Sequence, residues 1–409
     1  MEKRNEFRFN QKKILTRSSK VMLVLGIILI AANLRTPITS VGPLLGMIQS
    51  DLHLTNTMAG LLTTIPLLAF AGLSPFVSKL SRALGIEVLI FVALLTLVLG
   101  SLLRPFGGEL NLFAGTFMIG LAIAVGNVIL PSLIKKEFPF KLGLMTGVYS
   151  ISMNLCAAIA AGLTVPIAMN NRFSWHGSMV FWAILGIVAL VIWLPQLKYN
   201  QRSTEKIATH LVTTSVWKSP LAWKISLFMG SQSAIFYISI AWLPNILADQ
   251  GLSSTSSGLM LSLMQFAVMP ITFIIPIIAG RMKNQQLLVG ISILFFLIGI
   301  FGIMFASGSV LILSIAIIVY GIGSGMSFSL SMMFFNLRTT SATESADLSG
   351  MAQSIGYLFA ASGPILFGTL HDALGSWQPT LYVLVGITML MLYCGLDAGR
   401  NKFLFPQKK

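Results

Sequence analysis

The chain has 409 residues, 55% of them hydrophobic and only 10% charged, whereas an ordinary soluble domain carries about a quarter charged residues. Its formal charge is +15. This composition excludes a water-soluble globular protein, and the placement of the charge, taken up below, excludes a nucleic-acid footprint.

Apolar runs of about 20 residues recur along the chain, each long enough to cross a ~30 Å hydrocarbon layer. Backbone groups in lipid must be satisfied within the segment, and the runs are too continuous for the alternating strands of a barrel, so helices are expected. Twelve spans are predicted, at 21–47, 55–79, 86–104, 110–134, 141–168, 177–196, 220–246, 253–280, 285–305, 309–336, 345–370 and 377–396. The basic tail at 1–20 leads into a full span with no evident small-residue cleavage site, so it reads as an uncleaved first helix. With the N-terminus in the cytoplasm, all but three of the 27 Lys and Arg fall in the tails or inner connections. The exceptions are Arg104 and Arg172 outside and Arg35 within a span. This asymmetry predicts an even span count and both termini cytoplasmic; the expected location is a bacterial-type plasma (inner) membrane.

Arg35 in the first span lies 14 residues past Val21, about 20 Å along a helix. That depth defeats snorkelling, and a mid-membrane arginine costs roughly 2.5–3.5 kcal/mol on the lenient insertion scale, so it needs a partner. Two readings compete. Arg35 is either a structural group satisfied by carbonyls beside Pro37, or a fixed cation whose planar donors bind an anionic or strongly dipolar group. Every Asp and Glu falls in a loop, a tail or a helix end, with Glu87 opening the third span. None can pair with Arg35 at mid-membrane or carry a proton there. That favours the second reading and argues against a pump for cationic drugs.

The inner connection at Ser74–Gly85 carries Lys79 and Arg82. Either is expected to pair with Glu344 or Asp347, at the start of the eleventh span, when the inner side is shut; Asp347 could equally be an N-terminal helix charge. In the fourth span Asn127 precedes Pro131, whose missing donor loosens the helix. Gly143 and Gly147 in the fifth permit close packing, with Tyr149 and Asn154 beyond them. The polar stretch 198–219 reads as a cytoplasmic linker between an N-terminal bundle (21–197) and a C-terminal bundle (220–397), with a tail at 398–409. Gln232 and Tyr237 lie in the seventh span, and Gln353 and Tyr357 share a face of the eleventh. For each polar residue the alternative to a solute contact is an interhelical hydrogen bond worth about 0.6 kcal/mol. Gly363–Pro364 marks a bend.

The halves echo one another. Leu54 and Gly60 recur as Leu252 and Gly258, Lys135 and Gly147 as Arg338 and Gly350, and Trp175 as Trp377, at offsets of 198 to 203. Parallel repeats of six helices are the plan of the major facilitators. The motifs Ala-Ala-Asn-Leu-Arg-Thr-Pro (31–37), Gly-Asn-Val-Ile-Leu-Pro (126–131) and Gly-Val-Tyr-Ser (147–150) resemble the cyanate permease and 2-nitroimidazole transporter branch of that superfamily. Ala-Trp-Leu-Pro (241–244) and Ser-Gly-Met-Ala-Gln-Ser-Ile-Gly-Tyr (349–357) strengthen the resemblance, which covers nearly the whole chain. It implies an all-α integral membrane fold of twelve helices in two pseudo-symmetric six-helix bundles. It also implies alternating-access transport of a small anionic or nitro-bearing solute, with Asn33, Arg35, Asn127, Tyr149, Gln353 and Tyr357 around the cavity. Trp242 would be a gate or an interfacial aromatic. Departures are the missing aspartate of the 74–85 loop, and the missing fourth-span arginine and fifth-span Gly-Pro motif of drug–proton antiporters.

No nucleotide-binding loop appears, the four histidines are scattered over loops, and the two cysteines fall in spans, so neither cofactor nor metal is expected and the chain is not read as an enzyme. The expected partners are a small-molecule solute, a proton if transport is coupled, and the lipid bilayer, with the monomer as functional unit. The competing reading is an efflux transporter of apolar or zwitterionic compounds in which Arg35 is structural. An intramembrane enzyme or sensor would need a carboxylate pair, a His cluster or a signalling domain that the sequence lacks.

Overall fold

The computed structural model describes residues 17–54, 56–169, 174–200, 215–252, 254–306 and 308–405. The expectations for the tail at 1–16, for Arg172 and for linker positions 201–214 lie outside the described residues. Among the described residues fourteen α-helices follow in order: α1 (Arg17–Asn33), α2 (Thr36–Thr39), α3 (Leu45–Leu52), α4 (Asn56–Leu84), α5 (Ile86–Leu103), α6 (Gly108–Glu137) and α7 (Leu142–Ala168). Then come α8 (Ser174–Trp193), α9 (Pro220–Asp249), α10 (Ser254–Arg281), α11 (Gln286–Phe305), α12 (Val310–Leu337), α13 (Ala342–Leu374) and α14 (Gln378–Ala398). Eleven of the spans are apolar and long enough to cross a membrane by length and composition. The expected eleventh span, α13, is 33 residues long but is not among them. Its Glu344, Ser345, Asp347, Ser349, Gln353 and Ser354 make it polar: Asp347, Gln353 and Ser354 bond to the other bundle, Glu344 and Ser345 bond within their own, and the buried Ser349 Oγ has no hydrogen-bond partner among the described residues.

The first span is not one helix, as expected at 21–47, but a broken one. Pro37 has no N–H to give the carbonyl four residues back, and its ring crowds that position. That residue is Asn33, where α1 stops. Two residues of turn follow, Leu34 and Arg35, before α2 restarts.

Helices α1 and α4–α8 pack on one another, as do α9–α14, and the two groups meet mainly where α4 and α6 cross α13 and where α7 crosses α10. The duplication is visible at atomic detail. After α3, His53 adopts a left-handed φ of 53° and Leu54 N–H returns to Gln49 O. After α9, Gly251 does the same at 93° and Leu252 N–H returns to Leu247 O. Both are helix terminations of the Schellman kind. The bundle crossings are related as well. A Cβ on Gly147 would lie 2.7 Å from Phe273 O, and one on its repeat mate Gly350 would lie 2.6 Å from Ser74 O. Only glycine admits backbone contact at both crossings.

The ends of the bundles that carry most of the basic connections are shut. Arg82 at the end of α4 pairs with Asp347 on α13 at 3.1 Å, and Ser78 also donates to that carboxylate. Lys135 at the end of α6 caps the last turn of α12, donating to Asn336 O at 2.7 Å and to Thr339 O at 2.5 Å. A cation is favoured there because helix carbonyls point outward at a C-terminus. The α7–α10 crossing closes differently, with no charge pair among the described residues. Gly143 lies against Pro276 and Gly280.

Candidate functional site

The break in the first span delivers Arg35. It is the N-cap of α2, partly exposed, and its carbonyl is occupied by the N–H groups of Ile38 and Thr39. Its Nη1 donates to Asn154 Oδ1 on α7 at 3.1 Å. Asn154 in turn donates to Ser150 O and to Thr272 Oγ1 on α10, at 3.0 and 3.3 Å, so the chain of contacts crosses between the bundles. The guanidinium carbon lies 5.0 Å from the ring centre of Phe236 on α9 and 5.5 Å from that of Phe328 on α12. Among the described residues no carboxylate lies within 4 Å of Arg35. Its partners are neutral: one amide and two aromatic faces.

Three tyrosines surround this cation at electrostatic range, Tyr149 on α7, Tyr237 on α9 and Tyr357 on α13. Tyr357 accepts from Asn127 Nδ2 at 3.4 Å and lies 4.8 Å, ring to ring, from Phe70. Gln353, one helical turn earlier, donates to Asn127 O at 3.3 Å. The reason that carbonyl is free is Pro131, four residues on, which cannot donate to it. The same device recurs on α4. Pro75 leaves Ala71 O without its helical donor, and Ser354 Oγ of α13 takes it at 2.7 Å. Two proline-freed carbonyls of the first bundle are thus hydrogen-bonded by adjacent residues of the second.

The structure brings Arg35, Asn154, Tyr149, Tyr237, Tyr357, Asn127 and Gln353 to one centre where α1, α6, α7, α9, α12 and α13 meet. One candidate bonds elsewhere, and another makes no hydrogen bond to this centre among the described residues. Asn33 donates to Leu29 O and Leu185 O, tying α1 to α8 within the first bundle. Gln232 is buried, and among the described residues its one hydrogen bond comes from neighbouring Ser233. Of the four end-of-helix candidates, Arg82 and Asp347 meet across the bundles. Glu344 instead turns back to accept from Thr340 N at 2.7 Å while Ser341 caps its own N–H, a reciprocal N-terminal cap. Lys79 is exposed.

Arg104, expected on the outer side, is the C-cap residue of α5. It is 4% exposed, its side chain turns inward, and Nη1 donates to Pro37 O at 2.7 Å. Burial lowers its pKa to about 10, which leaves it charged at neutral pH. The carbonyl beside Pro37 is therefore held by Arg104, not Arg35. Arg338, repeat mate of Lys135, also turns into its own bundle, donating to Ala398 O, Gly399 O and the Gln285 side chain. Trp242 packs on Trp377 and donates to Pro364 O at 2.8 Å, which joins α9 to α13. Thr272, Phe236, Phe328 and Ser354 were not singled out by sequence. Ser354 had a signal, the i−4 relation of Ala71 to Pro75.

The Major Facilitator Superfamily model matches residues 23–362, and the chain belongs to that family. It is 39% identical to the 2-nitroimidazole transporter of Escherichia coli (strain K12) over 388 residues, 95% of this chain and 98% of that protein. It is 25% identical to the cyanate transport protein of the same organism over 375 residues, 90% and 96% of the two chains. The fold is similar to that of the solved fucose:proton symporter of E. coli, with a TM-score of 0.73 at 13% identity, covering 93% and 98% of the chains. The protein is a multi-pass membrane transporter of this family and not an enzyme.

The proline devices predict a measurable coupling. Pro131→Ala restores a donor for Asn127 O within α6 and so removes the acceptor of Gln353. In a double-mutant cycle with Gln353→Leu, read by thermal unfolding in detergent, the two effects should be non-additive by about 0.5–1 kcal/mol. Strict additivity would mean the two groups do not interact.

Proposed function

We propose that this member of the Major Facilitator Superfamily carries a small anionic or nitro-bearing solute by alternating access, with Arg35 as the central binding cation. The observation that carries this reading is the neutrality of everything touching Arg35 among the described residues. At an effective dielectric of 20, a unit charge 4 Å away contributes about 4 kcal/mol, so an anion delivered to this point is held strongly. Arg35 spends one N–H on Asn154, leaving further donors of its planar fork for a carboxylate-like or nitro group. Asn127 and the tyrosine hydroxyls offer neutral hydrogen bonds around it. The printed names of the two relatives, for 2-nitroimidazole and cyanate, agree with a small, flat, electron-rich solute.

The rings of Phe236 and Phe328 belong to the second bundle, and each covers the cation for roughly 0.5–2 kcal/mol. They supply a weak substitute for the anion, which lets the empty bundles approach each other. A bound solute replaces the substitute with a full opposite charge and favours closure. Arg82, Asp347 and Lys135 act as the gate at the basic end, which the charge asymmetry orients to the cytoplasm. Those contacts must part for the solute to pass there. With no carboxylate at the centre among the described residues, a coupled proton would travel on the solute itself. The site draws on both bundles of one chain, so the monomer is the functional unit.

The competing reading, apolar or zwitterionic cargo with a structural Arg35, draws on the same two rings and Asn154, which together satisfy the cation without any solute. Flux of 2-nitroimidazole and of cyanate in proteoliposomes separates the two. Arg35→Ala should lose at least about tenfold of the flux of any solute the wild type carries, as expected for one charge-assisted hydrogen bond, and Arg35→Lys should recover part of it. Undiminished transport by the alanine variant would assign Arg35 a structural role. For the gate, Arg82→Asp and Asp347→Arg should each depress transport, and the charge-swapped double variant should recover at least half of the loss. A double variant no better than the singles would remove the pair from the gate.

A further inference from the structure

Away from the centre, the basic ends of α9 and α14 hold a charge cluster that the transport reading does not use. Lys224, Arg400 and Lys402 all converge on Asp397, at 2.8, 3.6 and 3.1 Å. One carboxylate facing three cations leaves two positive charges without a counter-charge among the described residues. Arg400 and Lys402 remain 56% and 51% exposed, so their charge is accessible from outside the bundle. The segment carrying them is not loose. Leu404 N–H bonds to Arg338 O at 2.8 Å, Phe405 packs on the core, and Gly399 O accepts from Gln285 N–H.

The neighbouring surface is aromatic and outward-facing. Tyr393 is 65% exposed, and Lys224 Nζ lies 5.2 Å above its ring. Trp223 is exposed, and its indole N–H is held by Trp217 O at 2.9 Å, so the two rings sit edge to face. Exposed Trp and Tyr beside a surplus of Lys and Arg, at the end of membrane-crossing helices, match the chemistry of the headgroup layer.

We propose that this cluster is a docking site for the phosphodiester headgroup of an anionic phospholipid in the leaflet at the basic end. The phosphate lies against Arg400, Lys402 and Lys224, sharing them with Asp397, while the acyl chains follow the aromatic face of Tyr393 and Trp223. A bound lipid would tie the C-terminal segment to the starts of α9 and α11 and so stiffen the second bundle.

The test uses the purified full chain in a neutral detergent, with cardiolipin, phosphatidylcholine and inorganic phosphate added separately, read by thermal unfolding. Cardiolipin should raise Tm by about 3 °C or more, and the two controls should not. Arg400→Gln/Lys402→Gln keeps the Lys224–Asp397 pair, so it preserves the fold, and should lose most of the cardiolipin shift. Arg281→Gln/Lys283→Gln removes the same charge from another exposed part of the basic end and should keep it. An equal loss in both variants would mean diffuse attraction, and a full shift in the first variant would exclude this cluster. A shift with inorganic phosphate equal to that with cardiolipin would make it an ion site without lipid preference. Each of those results would overturn the proposal.

Discussion

A guanidinium placed among apolar helices cannot shed its charge, so the surroundings of Arg35 have to answer it. A carboxylate would be the direct answer, and at that depth the described residues offer none. Instead the fold answers with an amide from α7 and two aromatic faces from the opposite bundle. Such partners stabilise a cation far less than an opposite charge does. The proposed role of Arg35 rests on this compromise, in which neutral partners from both bundles hold the cation more weakly than a solute anion would. Around it, neutral hydroxyls and amides repeat the pattern: polar, uncharged and shared between halves.

Proline supplies much of the rest. Pro37 breaks the first span at the residue four back and leaves Arg35 in the turn. Pro75 and Pro131 free Ala71 O and Asn127 O, and Ser354 and Gln353 cross from α13 to use them. Hydrogen bonds that would have been internal to a helix become contacts between bundles, and both backbone carbonyls stay satisfied. At the basic end the two related crossings differ. The α4–α13 crossing uses an ion pair, and the α7–α10 crossing uses glycine against backbone. An ion pair about one-third exposed is easily exchanged with water, which fits the gate role proposed for it.

The spans were legible because hydropathy and charge asymmetry are local properties, and the duplication because it repeats them at a constant offset. The break at Asn33 could have been read from Pro37 by the i−4 rule, yet a continuous hydropathy profile hides it. Arg104 stood at a span boundary, and a long side chain there can turn either way; only packing beside Gly115 and the Pro37 carbonyl decides. Asn33 was placed with Arg35 through the resemblance carried by the 31–37 motif. The break and the α8 carbonyl at Leu185 send them to different neighbours. Phe236 and Phe328 carried no signal at all, since aromatic residues are common in spans. Their meeting with Arg35 depends on the register between bundles, which no local pattern encodes.

The central claim is that the charge of Arg35 is answered by the solute. Calorimetric titration of the purified protein with 2-nitroimidazole and with cyanate, wild type against Arg35→Gln, addresses it without the complications of flux. The account predicts that whichever ligand binds the wild type loses about 10- to 100-fold in affinity in the variant, the range for one charge-assisted hydrogen bond. Equal affinity in the two proteins would contradict it.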